Sequence, residues 1–206
     1  MKKISFILVA ALMMCGASAK AQSVNDEKAF STIGLSYSPS VDSDNIGYTS
    51  ALTAEWSRIT AGSDGKTMRL QYGAALQYAL RKYSKDDGNT TYLTAKIPVN
   101  AVYAFNIPDA DVMVLPYAGL NVQGHLLAVE NYTVTYSDGT VETRKRDYFD
   151  QGDDSYGRFG LGCQFGVKAI CGKHLVGVGY ESPLTEMYGE NNFKMRHVSF
   201  SFGFVF

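Results

Sequence analysis

The sequence predicts an all-β protein, an eight-stranded antiparallel up-and-down transmembrane β-barrel. Three observations predict it. Apolar residues alternate with small or polar ones in eight segments of the chain. The connections between those segments alternate between long and short. The composition is rich in residues that suit strands: the 206 residues include 20 Gly, 14 Tyr and 11 Phe but only 5 Pro. Charged residues make up 19%, below the roughly 25% of soluble domains. Lys and Arg number 19 against 20 Asp and Glu, a net charge of −1, which gives no electrostatic case for a nucleic-acid partner.

The chain opens with Lys2 and Lys3, an apolar stretch from Ile4 to Met14, and Ala19-Lys20-Ala21. Positive start, apolar run and small-residue exit follow the order of a secretory signal peptide, expected at residues 1–21 with cleavage after Ala21. The run is too short for the ~20 residues of a membrane helix. Met13 and Met14 precede Cys15 where a lipoprotein site has a small residue, so ordinary cleavage is expected. Losing Lys2, Lys3 and Lys20 and no acid turns 19 against 20 into 16 against 20, a net −4. The barrel domain is then residues 22–206, with strands from about residue 27.

Each strand follows from its alternation. Near 29–37, Ile33, Leu35 and Tyr37 alternate with Thr32, Gly34 and Ser36. Near 48–58, Tyr48, Leu52, Ala54 and Trp56 oppose Thr53, Glu55 and Ser57. The clearest case is 68–81, where Met68, Leu70, Tyr72, Ala74, Leu76, Tyr78 and Leu80 oppose Arg69, Gln71, Gly73, Ala75, Gln77, Ala79 and Arg81. A strand separates those sets onto two faces; a helix would mix them. Segments near 91–105, 113–126 and 157–169 repeat the pattern and set Lys96 and Asn100, Asn121, Gln123 and His125, and Arg158 and Lys168 on their polar faces. Segments near 174–181 and 197–206 complete the set, with Glu181, His197, Ser199 and Ser201 polar and Phe200, Phe202, Phe204 and Phe206 apolar. Pro98 and Pro116 cannot donate to a ladder, so each is expected at a bulge or a strand start.

A soluble lipocalin-like ligand-binding barrel would turn the apolar face inward. Strand length opposes that, since eleven residues tilted ~45° rise about 25 Å, the height of an outer-membrane apolar band. The small polar face also suits an eight-stranded lumen, which has room only for side chains. Arg69, Arg81, Lys96, Arg158 and Lys168 with Glu55 and Glu181 are therefore expected to form a polar plug. Tyr37, Tyr48, Tyr78 and Tyr180 would form an aromatic girdle toward the long loops. Trp56, Tyr103, Phe105, Phe204 and Phe206 would form one toward the short turns. In the longest loop, 128–156, Thr133-Val134-Thr135-Tyr136, Ser137-Asp138-Gly139 and Thr140-Val141-Glu142 read as a hairpin above the barrel. Cys163 and Cys171 sit eight residues apart on one strand, about 26 Å, and are expected as free thiols.

Ile97-Pro98 leading to Tyr103-Ala104-Phe105, then Pro116-Tyr117-Ala118-Gly119, Phe159-Gly160-Leu161-Gly162, Tyr180 with Pro183-Leu184, and Phe206 together resemble the outer membrane protein beta-barrel domain family. The resemblance spans residues 30–206 and departs at Val102, where many members carry Lys. It implies an outer-membrane location in a Gram-negative cell and contact with outer-membrane lipids and lipopolysaccharide. It also implies recognition of Phe206 by the barrel-assembly machinery, and no shared reaction. His197-Val198-Ser199 is similar to the His-x-Ser pair of lipid A deacylase barrels, which makes a lipid A-modifying enzyme the alternative. The register turns both side chains inward and the sequence offers no acid partner, so no catalytic residue is expected. His125 and His174 lack metal-ligand spacing and are read as a lumen residue and a turn-side residue. Asp42-Ser43-Asp44-Asn45-Ile46-Gly47 starts like a calcium loop but has Ile46 and Thr53 where oxygen ligands belong. The acids Asp147, Asp150, Asp153 and Asp154 beside Arg144-Lys145-Arg146 read as a solvated loop that pairs internally or with the lipopolysaccharide surface and its cations. No metal or cofactor is expected. The reading is a non-enzymatic, structural or surface-binding barrel with a plugged polar lumen, acting through its outside loops.

Overall fold

The structure, a computed structural model, describes residues 28–39, 48–61, 67–82, 88–107, 110, 112–150, 157–185 and 196–206. The expected signal peptide, the Asp42–Gly47 stretch, and Asp153 and Asp154 lie outside the described residues. The strands are β1 (Phe30–Pro39), β2 (Tyr48–Ile59), β3 (Met68–Lys82), β4 (Asn89–Tyr103), β5 (Phe105–Ile107), β6 (Val112–Thr135), β7 (Val141–Asp147), β8 (Phe159–Cys171), β9 (His174–Pro183) and β10 (His197–Val205).

Every pairing between them is antiparallel. The order runs β4-β3-β2-β1-β10-β9-β8-β6, and β6 pairs back onto β4. Eight staves thus close into a barrel, with β5 prolonging β4 and β7 folding back on β6. Closure leaves the apolar zone without an open sheet edge, as a hydrocarbon environment requires. The β8–β9 turn is two residues, Gly172-Lys173, with Gly172 at φ 59°.

The faces fall as the alternation predicts. Leu70 and Tyr72 are 46% and 43% exposed, whereas Arg69 and Gln71 are 6% and 1%. The greasy wall therefore faces out, which removes the lipocalin-like reading. Tyr37, Tyr78, Trp56, Tyr103, Phe105, Phe204 and Phe206 all stand exposed on it. Tyr180 is half-buried against Phe165, 5.2 Å between ring centres.

Both prolines correct the expectation. Neither shifts the register, because Pro98 pairs in line with Asn121 and Pro116 with Val167. Pro98 directs its missing donor toward β3, where the ladder lapses between Tyr72↔Val99 and Ala75↔Lys96 and resumes unshifted. Pro116 stands opposite Tyr103, just past the last β4–β6 pair at Val102↔Tyr117, so its missing N–H falls where pairing stops anyway. The real irregularity lies elsewhere. Leu93 pairs with Leu127 but Thr94 with His125, so Leu126 is an extra residue and both leucines face outward.

The lumen also departs from the expectation at its turn-side end. There Phe30, Ile59, Val102, Met113, Leu115, Ile170, Leu175 and Val205 pack into a buried apolar cluster. Val102 sits inside this plug directly across from the buried Arg69, so a lysine there would set a second cation beside one already present.

Candidate functional site

Above the plug lies a polar layer. Lys168 Nζ lies 3.0 Å from Glu55 Oε1. Their strands, β8 and β2, stand four places apart around eight staves, so this ion pair spans the full diameter. Lys96 pairs with Glu181, which also accepts from Gln123 Nε2 at 2.9 Å. Gln71, Asn100, Gln164 and Asn121 join in a chain of amide contacts of 2.7 to 3.2 Å. Tyr117 reaches across the same layer: its hydroxyl occupies the space that side chains on Gly166 and Gly179 would need, and Lys168 Nζ stands 5.2 Å from its ring centre. Glycine at those two places is a packing requirement. Arg69 and Arg81 are buried in the lumen as expected.

Arg158 is not. It is exposed at the loop-side rim, with its guanidinium 4.6 Å over the Phe149 ring. Phe149 belongs to a second cluster at the loop-side mouth, made of Ala51, Ala79, Tyr92, Ala128 and Tyr148. The polar layer therefore lies between an apolar plug and an aromatic cap.

The cap is the foot of the expected hairpin. β6 continues past the barrel to Thr135, turns through Tyr136–Gly139 with Gly139 at φ 83°, and returns as β7. Asp138 Oδ1 accepts from the Thr140 amide at 2.9 Å, which holds that carboxyl below its ordinary pKa. Ala128 and Tyr148 point inward, so register and pleat put Glu130, Tyr132 and Val134 of β6, with Arg146, Arg144 and Glu142 of β7, on the face above the mouth. Tyr136 donates to Glu142 at 2.7 Å and Arg144 reaches the same oxygen at 3.0 Å. The Tyr136 hydrogen bond first, then Arg144, holds the Glu142 carboxyl below its ordinary range. Arg144 and Arg146 lie over the rings of Tyr136 and Tyr148, at 5.9 and 5.5 Å. The extra residue at Leu126 inverts the parity of everything beyond it, and without it these side chains would face away from the mouth.

His125 is a buried lumen residue with Nδ1 3.0 Å from Thr94 Oγ1, and His174 sits at the turn end between Phe202 and Phe204. Cys163 and Cys171 are free. His197 is buried on the inner face, and the Ser199 hydroxyl lies over Gly179 on that same face. The strand register supplies what single-strand reading could not, since Glu181 stands directly across from His197. Its Oε1, however, is engaged by Lys96 and Gln123.

The family described as "Outer membrane protein beta-barrel domain" matches residues 7–206. No curated protein sequence matches the chain. Among solved structures, the outer membrane enzyme PagL is similar at 14% identity and a TM-score of 0.51, covering 84% of this chain and 97% of its own. Ail, the attachment invasion locus protein of Yersinia pestis, is similar at 12% identity and a TM-score of 0.44, covering 88% of this chain and 100% of its own. The N-terminal barrel domain of Pseudomonas aeruginosa OprF gives 16% identity and a TM-score of 0.36 over 88% and 100%. Such identities speak to fold alone.

Proposed function

We propose that this chain, which belongs to the outer membrane protein beta-barrel domain family, is a non-enzymatic integral outer-membrane protein that acts at the cell surface through its β6–β7 hairpin and neither conducts solutes nor transforms a substrate. It is exported by the segment 1–21, cleaved after Ala21, and sits with its short turns toward the periplasm and its hairpin outside. The observation that carries this reading is the division of the molecule. The lumen is filled by the plug, the polar layer and the cap, while the hairpin stands beyond the barrel and presents arginine-on-aromatic stacks. Recording from the full protein in planar bilayers is expected to give no stable channel steps; steps of porin size would refute the sealed lumen.

One observation favours a second reading, a lipid A-modifying enzyme. His197, Ser199 and Glu181 meet on one inner face. Against it, that face looks into the lumen while acyl chains lie outside, and Glu181 already serves Lys96. Mass spectrometry of lipid A from cells with the protein, without it, and with Ser199→Ala separates the two. Acyl loss that requires Ser199 would establish the enzyme; identical lipid A in all three supports the surface role.

A further inference from the structure

The hairpin has one edge that the rest of the fold does not use. Tyr148 N donates to Ala128 O at 3.0 Å and Tyr136 N donates to Thr140 O at 2.8 Å, at the two ends of the β6–β7 ladder. Bonded pairs recur at every second residue of an antiparallel ladder, so Arg146, Arg144 and Glu142 also direct their backbone groups at Glu130, Tyr132 and Val134. The residues between them, Val141, Thr143 and Lys145, therefore turn three N–H and three C=O groups the other way. Among the described residues β7 pairs with β6 alone, so no strand meets those groups. Val141, Thr143 and Lys145 are all exposed. A row of unpaired backbone groups on an exposed edge is a template for a further strand.

Charge decides which strand fits. Arg144-Lys145-Arg146 puts three cations in succession on this edge, the arginines on the mouth face and Lys145 on the other. The acids at either end are already engaged: Glu142 holds Tyr136 and Arg144, and Asp147 Oδ1 holds the Phe149 amide. Lys145 has no ion pair among the described residues. A second copy of the chain in the same membrane is a poor occupant. Its β7 would run parallel to the first, and a two-fold pair would set Arg144, Lys145 and Arg146 beside their own counterparts. A free anion would meet the cations but leave the C=O groups unsatisfied, whereas a polypeptide backbone brings donors and acceptors together.

We infer that the free edge of β7, from Val141 to Lys145, takes an extended acidic segment of a partner protein as a third strand of the hairpin. The inference rests on the surface role proposed above, with the hairpin outside, and names the kind of partner that role would serve. The test uses the full protein in micelles, with amide hydrogen exchange read by nuclear magnetic resonance. In the free protein the Glu142, Arg144 and Arg146 amides should exchange slowly and those of Val141, Thr143 and Lys145 fast. A short peptide of Thr and Val around a run of Glu should protect the second set, and bind at least tenfold more tightly than the same peptide with Lys for Glu. N-methylation of its central amides keeps the charge and removes the donors, and should abolish protection. Thr143→Pro removes a donor from the free edge only, so the peptide should no longer bind while the β6–β7 amides stay protected. Lys145→Glu should cut the preference for the Glu peptide several-fold. Slow exchange at Val141, Thr143 and Lys145 before peptide is added would mean that another segment of this chain fills the edge, and would overturn the site. So would equal binding of the two peptides, protection by the methylated one, a preference unchanged by Lys145→Glu, or a dimer that protects the same amides. An epitope inserted at Gly139 and stained on intact cells tests the orientation separately. Staining with an edge that takes no strand rejects this inference alone; a tag hidden from antibody rejects the orientation on which it depends.

Discussion

Two ion pairs in this molecule have the same length and opposite surroundings. Lys168–Glu55 in the lumen and Arg144–Glu142 on the hairpin both measure 3.0 Å. The lumen side chains are 9% and 31% exposed, the hairpin ones 49% and 51%. Distance is therefore no guide to what each contributes. In the lumen, losing one partner strands a charge where little water reaches it. On the hairpin, water and salt take over whatever a partner gives up. The barrel interior uses charge to fix a structure, whereas the hairpin displays charge to its surroundings.

The plug gives the largest expected effect and sharpens the contrast at its apolar extreme. Leu115 is 1% exposed within the turn-side cluster. Leu115→Ala should cost about 3 kcal/mol, because neighbours held by closed strands cannot collapse into the space. Urea unfolding in vesicles, read by the single Trp56, measures it. A loss below about 1 kcal/mol would mean that the turn-side lumen is loosely packed.

Next comes the direct comparison of the pairs. Lys168→Met should cost about 2 kcal/mol, reduced from the full value for a buried pair because Glu55 keeps partial access to water. Adding Glu55→Met should recover much of that loss, since no charge is then left without its partner. Arg144→Ala should leave the unfolding midpoint where it was. Equal shifts from Lys168→Met and Arg144→Ala would break the distinction drawn between the two regions.

The same contrast explains what the sequence made legible. Lipid-facing and polar lumen positions could be read off because a period-two pattern needs only that one face differ from the other, as in Met68–Arg81. At the turn end the difference disappears. Val112–Leu115 and Val102–Phe105 are apolar or small on both faces, one toward lipid and one toward the plug, so alternation carries no information there. The site was harder still. Thr133 to Glu142 announced a hairpin, but the face it presents depends on one extra residue at Leu126, and two adjacent leucines were its only trace. Arg158 followed the parity of its strand and was expected inside. Its carbonyl still accepts from the His125 amide at 2.7 Å, but it ends the strand at the rim and its side chain turns out over Phe149. Glu181 opposite His197 is a property of two strands together, which no single segment contains.

The smallest effect tests the hairpin's own order. Glu142 is held below its ordinary pKa by the Tyr136 hydroxyl and by Arg144. A depressed carboxyl stabilises the folded arrangement above its ordinary pKa and loses that contribution as pH falls through the lower folded value. The tip should therefore keep Tyr136 and Arg144 in place at neutral pH and release them only in acid below the usual glutamate range. Nuclear magnetic resonance titration of the Glu142 side chain in micelles should give a midpoint below the reference 4.5. Tyr136→Phe should move that midpoint upward, because the leading contact is the one removed. Tyr136→Phe should leave the barrel's own amide signals as they are in the unsubstituted protein at each pH, since the contacts of Glu142 lie on the hairpin. A midpoint at the reference value would mean that Tyr136, Glu142 and Arg144 do not hold together in solution and that the hairpin tip is not preformed.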